Sequence, residues 1–105
     1  MSTDKDLRFG LPTLVVEKLS ALFAQYHSIN RVIIYGSRAM GNYRPGSDID
    51  LCIDAAKMNL TQLLQIENQI DDLLLPWKVD LSLQHTLDNP NLLKHINDVG
   101  IVFYA

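Results

Sequence analysis

The sequence predicts an α+β fold, a mixed α/β sheet with helices packed on it. Three observations carry this expectation. "SDIDLCID" and "WKVDLSL" alternate apolar and polar residues with a period of two, the mark of half-buried strands. Apolar residues elsewhere recur at three- and four-residue spacings, the mark of amphipathic helices. The two patterns interleave in the order α-β-β-α-β-α-β, without repeats, linkers or low-complexity segments.

Residues 1–9 are charged and aperiodic, and predict a flexible lead-in. Leu11, Leu14, Val15, Leu19, Leu22, Phe23 and Tyr26 then predict a helix over about 12–27, with Pro12 suited to its first position. "RVIIYG" is a β-branched run ending at glycine, a buried strand over 31–35. "SRAMGNYRPG" is rich in turn residues, with room for one helical turn at 37–41. "SDIDLCID" follows. Its alternation puts Asp48, Asp50, Cys52 and Asp54 on one face and Ile49, Leu51 and Ile53 on the other. Asn59 caps a helix that Pro76 stops, with Leu60, Leu63, Leu64, Glu67, Ile70, Leu73 and Leu74 along its core side. "WKVDLSL" sets Trp77, Val79, Leu81 and Leu83 against Lys78, Asp80 and Ser82, and Trp77 is expected to anchor the preceding helix to the sheet. "DNPNLLKHINDVG" has Asp88 or Asn89 as cap, Pro90 in the first turn and Gly100 beyond the last; "IVFY" is the final strand.

The chain has 105 residues, enough for one core. Nine Lys and Arg against twelve Asp and Glu give a net charge of −3, which argues against a dedicated nucleic-acid surface. A single cysteine, Cys52, allows no internal disulfide and suits a reducing compartment, where it reads as a small buried residue. "MSTDKDLRFG" has no apolar segment of a secretory signal, and no apolar run approaches the roughly 20 residues of a membrane helix. A soluble cytoplasmic protein is the expectation.

The chemistry lies in the aspartates. Aspartate is depleted in strands because its side chain favours turns and caps. Asp48 and Asp50 nevertheless open one, with both carboxylates on one face. If the 77–83 strand lies alongside, Asp80 comes within roughly 5 Å of one of them. Three converging carboxylates repel one another, and a divalent cation relieves the conflict. Hard oxygen ligands suit Mg²⁺, which fills its remaining positions with water and phosphate. Gly36-Ser37 ends the preceding strand, where glycine lets the backbone approach a phosphate and serine adds a hydroxyl donor. Arg38 and Arg44 lie in the same segment and could neutralise phosphate charge. A D-x-D pair alone carries no weight, since "DKD" at Asp4–Asp6 is another. Gly-Ser followed by ten residues and then D-x-D is far rarer. His27, His85 and His95 show no metal-ligand spacing and read as surface or capping residues.

Gly36, Ser37, Asp48 and Asp50 form G-S-x₁₀-D-x-D, which resembles the signature of the DNA polymerase β-like nucleotidyltransferase superfamily. "SDIDL" and "WKVDLS" resemble its two strand segments. The match spans roughly residues 30–83 and implies the polymerase β-like nucleotidyltransferase fold, with 1–105 as a single domain. The small size resembles the minimal nucleotidyltransferase (MNT) branch, whose members pair with HEPN-domain toxins. The resemblance implies two Mg²⁺ ions and ATP as substrate. It gives Asp48 and Asp50 both metals, and Asp80 one metal and the role of base. Gly36-Ser37 would hold the β- and γ-phosphates. It further implies a protein adenylyltransferase antitoxin that moves AMP to a tyrosine of a HEPN ribonuclease toxin, in a hetero-oligomer with it. The chain lacks the R-x₄₋₆-H pattern of such toxins. Two other readings stand beside this one: a nucleotidyltransferase acting on a small molecule or an RNA 3′ end, and a non-catalytic antitoxin that masks its toxin by binding.

Overall fold

A computed structural model of the chain describes residues 7–105. Its centre is a four-stranded sheet in the order β5-β4-β3-β6, formed by β3 (Arg31–Tyr35), β4 (Ile49–Asp54), β5 (Val79–Leu83) and β6 (Ile101–Tyr104). β3 pairs antiparallel with both β4 and β6, and β5 runs parallel to β4, so the sheet is mixed. The parallel pair requires a crossover, and helix α3 (Leu60–Asp71) supplies it.

One sheet face is the core side. Val32, Ile34, Ile49, Leu51 and Ile53 alternate onto it and are fully buried with Leu19 and Phe23 of helix α1 (Thr13–Phe23) and Ile66 of α3. The other face carries Tyr35, Asp50, Cys52, Asp80 and Ser82, partly covered by helix α4 (Pro90–Val99). Asn59 and Gln62 cap α3 reciprocally: the Gln62 N–H donates to Asn59 Oδ1 and the Asn59 N–H to Gln62 Oε1. Asn89 caps α4, accepting from the N–H groups of Asn91 and Leu92.

Both long helices end earlier than periodicity predicts. After Phe23 the N–H groups of Gln25 and Tyr26 donate to Leu22 and Phe23, three residues back, and the Tyr26 hydroxyl is held by Gln69 of α3. After Asp71 the N–H groups of Leu73 and Leu74 bond three residues back, with Leu74 at a φ of 54°. These tightened turns redirect the chain before Pro76 could stop it. The core stripe of α3 is also rotated from the expected one. Leu63, Ile66 and Ile70 are buried, whereas Leu60, Leu64 and Leu74 are 65%, 51% and 87% exposed. Leucines flank the sheet-facing line here, and the line itself passes through Ile66. In α1, Val16 is likewise buried and Leu14 exposed.

The expected lead-in is corrected over its last residues. Leu7–Arg8 (β1) and Leu11–Pro12 (β2) form a small antiparallel hairpin. Its two turn residues, Phe9 and Gly10, have φ values of 57° and 73°, the geometry that a tight hairpin requires. The Phe9 ring packs 5.9 Å from that of Phe103, which holds the hairpin to β6. Residues 1–6 of the expected lead-in, including Asp4 and Asp6, lie outside the described residues.

Candidate active site

The aspartates meet through strand pairing. β4 and β5 run parallel with Asp50 beside Asp80, and the Ile49 N–H donates to the Lys78 carbonyl at 2.9 Å, which locks that register. Neighbouring strands lie about 4.8 Å apart, so two carboxylates leave the same face side by side. Asp48 stands just before β4, exposed, two residues from Asp50. On the other flank Asp50 pairs with Tyr35 of β3.

The electrostatics follow from this crowding. Burial, then Asp80, then Asp48 push the Asp50 carboxyl above its ordinary value of 3.8, and His95 and Lys78 partly offset them. Burial also raises the Tyr35 phenol, with Asp50 and Asp80 adding to it, and raises the Cys52 thiol. The Ser82 hydroxyl is buried near both groups, without a hydrogen bond of ordinary length. Among the described residues no three His, Cys, Asp or Glu side chains are grouped so as to hold a metal ion. The donor set nevertheless fits a divalent cation that keeps water and substrate oxygens in its shell. Asp50 and Asp80 bring hard carboxylate oxygens side by side, and their mutual repulsion is the cost that such a cation removes.

That repulsion predicts a stability profile. A carboxyl raised by folding takes up a proton more readily folded than unfolded. Its ionisation therefore lowers stability as pH rises from about 4 through the raised value, and the loss persists above it. Asp50→Asn removes this. In EDTA at pH 7 the variant is expected to melt roughly 2–4 °C above wild type, a modest figure because the site is only partly buried. The gap should close as pH falls to about 4. Thermal melts across pH check this; a variant less stable than wild type at pH 7 contradicts it.

Gly36-Ser37 lies against the same carboxylate. Gly36 has φ 72° and ψ −156°, and a Cβ on it would stand 2.4 Å from Asp50 Oδ2. No other residue fits there without moving that carboxylate. Ser37 opens the four-residue helix α2 (Ser37–Met40). Thus the glycine-serine turn, Asp48, Asp50 and Asp80 share one end of the sheet.

The two arginines separate. Arg44 is exposed on the loop between α2 and β4. Arg38 is 2% exposed, and its guanidinium N–H groups donate to the carbonyls of Phe9, Pro45 and Ser47. The Arg38 donors point into the protein and are engaged there. Trp77 likewise does more than fasten α3. Its indole N–H donates to Pro45 at 2.8 Å, and its ring lies under the Arg38 guanidinium.

Three residues join the site that motif spacing did not indicate. His95 of α4 accepts a hydrogen bond from the Gly36 N–H on Nε2 at 3.2 Å, with its ring edge-on to Tyr35. Lys78 faces Asp50. The signal for His95 was present in the helical period, which groups it with Leu92, Ile96 and Val99 on the sheet-facing side of α4. Lys78 and Tyr35 were marked only by their alternation with Asp80 and Asp50.

Residues 17–105 match the family model described as polymerase beta, nucleotidyltransferase. The chain belongs to the polymerase β nucleotidyltransferase family. Two proteins of Methanocaldococcus jannaschii, both named as candidate protein adenylyltransferases, are each 31% identical to it over 85 residues, covering 80% of this chain and 86% of theirs. Among solved structures, a toxin–antitoxin with AMP-PNP superposes with a TM-score of 0.69 at 20% identity, covering 90% of this chain and 74% of that one. A variant of the MntA–HpeT toxin–antitoxin, with two aspartates one residue apart changed to glutamate, gives 0.68 at 18% identity and the same coverage. A candidate nucleotidyltransferase from Sulfolobus solfataricus gives 0.54 at 22%, covering 86% of this chain and 76% of that one. These likenesses establish the fold, a polymerase β-like nucleotidyltransferase, and with the family an enzyme of nucleotidyl transfer.

Proposed function

We propose that this nucleotidyltransferase is a protein adenylyltransferase of the MNT type, moving AMP from ATP to a tyrosine of a HEPN toxin and releasing pyrophosphate. The observation that carries it is Asp50 paired beside Asp80 and packed against Gly36, with Asp48 two residues away. The naming of two relatives as candidate protein adenylyltransferases favours a protein acceptor. So does the likeness to toxin–antitoxin structures, one with an ATP analogue.

In this reading Asp48 and Asp50 hold two Mg²⁺ ions, Asp80 joins them at one, and Gly36-Ser37 holds the β- and γ-phosphates. Bound there, the ions would acidify the attacking hydroxyl and neutralise the leaving pyrophosphate. The chain's own groups do the rest. Asp80, exposed on the edge strand, accepts the proton of the acceptor hydroxyl. A bond forms from that oxygen to the α-phosphorus as the bond to the bridging β-phosphate oxygen breaks in line. In this reading Arg44, exposed on the loop between α2 and β4, balances phosphate charge. Positioning and charge neutralisation supply most of the rate. The acidic balance and the single buried Cys52 suit a cytoplasmic enzyme acting on a protein.

The test is transfer of label. Chain, Mg²⁺, α-labelled ATP and a HEPN toxin should yield a toxin labelled on tyrosine. Strong labelling of an RNA 3′ end or a small molecule, with none on the toxin, overturns the protein-acceptor reading.

A further inference from the structure

We propose that Arg38 is a positioning residue of this active site, holding the segment that carries Asp48 against the segment that carries Asp80. The inference rests on the reading of these aspartates as metal ligands. Residues 42–48 form a mostly exposed connection outside any helix or strand. A carboxylate at its end would be loosely placed unless something fixed the backbone beside it.

Arg38 does this. Nε and Nη2 both donate to the Ser47 carbonyl, at 3.1 and 2.9 Å, in the residue adjoining Asp48. Nη2 also reaches Pro45 at 3.3 Å, and Nη1 reaches Phe9 in the hairpin turn at 2.9 Å. The guanidinium carbon lies 5.2 Å from the Tyr43 ring centre and 5.7 Å from that of Trp77. Trp77, three residues before Asp80, closes the loop by donating its indole N–H to Pro45 at 2.8 Å. Arg38 itself follows Gly36-Ser37 directly. One buried fork thus ties the phosphate turn, the Asp48 segment and the approach to Asp80 together. A planar guanidinium makes this set from three separate nitrogens; a lysine ammonium carries its three donors on one nitrogen and has no planar face to lie against the rings.

Mn²⁺ is the probe, titrated by electron paramagnetic resonance into the metal-free chain below each variant's melting point. Arg38→Lys is expected to weaken Mn²⁺ at least about 10-fold, the size of effect seen when groups supporting metal ligands are lost. Trp77→Phe, which keeps a ring but loses the bond to Pro45, should weaken it by a smaller factor. Ile66→Val, in the core of α3, serves as a destabilised control and should leave Mn²⁺ affinity unchanged. If Arg38→Lys does not fold, Trp77→Phe decides. Unchanged Mn²⁺ affinity in the folded variants, or equal weakening in Ile66→Val, overturns the proposal. A wild-type chain that takes up no Mn²⁺ overturns the metal reading itself, and with it this inference.

Discussion

Replacing Asp48 and Asp50 together by asparagine is expected to reduce nucleotidyl transfer by about 10³-fold or more while leaving the fold intact. Asparagine keeps the shape of aspartate but removes the negative charge. If the two carboxylates hold the ions that neutralise the triphosphate, their loss removes several kcal/mol of transition-state stabilisation, at about 1.4 kcal/mol per tenfold in rate. Folding rests on the opposite face of the same strand. Ile49, Leu51 and Ile53 are fully buried and untouched by the change. Asp50 is itself a destabilising charge when no cation is present, so circular dichroism should show an unchanged fold and melting should not fall. Label transfer, or pyrophosphate release with ATP and Mg²⁺, measures the rate. A double variant keeping a tenth of wild-type activity contradicts the assignment. A double variant that is inactive yet still neutralises a cognate toxin points instead to inhibition by binding.

Why these aspartates were legible, while other parts of the site were not, is a matter of range. Asp50 stands out because aspartate opposes the strand in which it sits, Asp48 lies just before that strand in the same alternation, and alternation is local. Asp80 was reachable by the same alternation. Its exact partner was fixed only when β4 and β5 adopted the register that sets Asp50 beside it. Arg38 shows the limit. A cation one residue beyond a glycine-serine turn suggests phosphate. Its burial depends on carbonyls from Phe9, Pro45 and Ser47, and on rings from Tyr43 and Trp77, which only the folded chain brings together. His95 reaches Gly36 from 59 residues away, with no motif linking the two. Helix ends failed for a smaller reason. The chain leaves α1 and α3 through tight turns favoured by tertiary contacts such as Tyr26 with Gln69, and apolar periodicity runs on through them. The hairpin at 7–12 escaped notice because Phe9 takes a positive φ, against its own preference.

Gly36→Ala is expected to lower both stability and activity, for two separable reasons. The first is backbone. A φ of 72° with a ψ of −156° lies in a region open almost only to glycine, and an L-residue there costs roughly 1–3 kcal/mol. In a chain of this length that corresponds to a melting point lower by about 5–15 °C. The second reason is the carboxylate. The new Cβ would lie 2.4 Å from Asp50 Oδ2, so the Asp50 side chain must rotate away. The rotation is cheap for folding, because the clashing atom ends a flexible side chain. It is costly for function, because Asp50 leaves its place beside Asp80, and displacement of a reacting geometry by about 1 Å costs on the order of 100-fold. Gly41→Ala separates the two effects. Gly41 also has a positive φ, 85°, yet nothing lies within 4 Å of where its Cβ would stand. That variant should lose about 1 kcal/mol and melt lower, with transfer close to wild type when assayed below its transition. Equal losses of transfer in the two variants would mean that glycine at 36 serves the backbone alone; wild-type transfer by Gly36→Ala would remove the Gly-Ser turn from the active site.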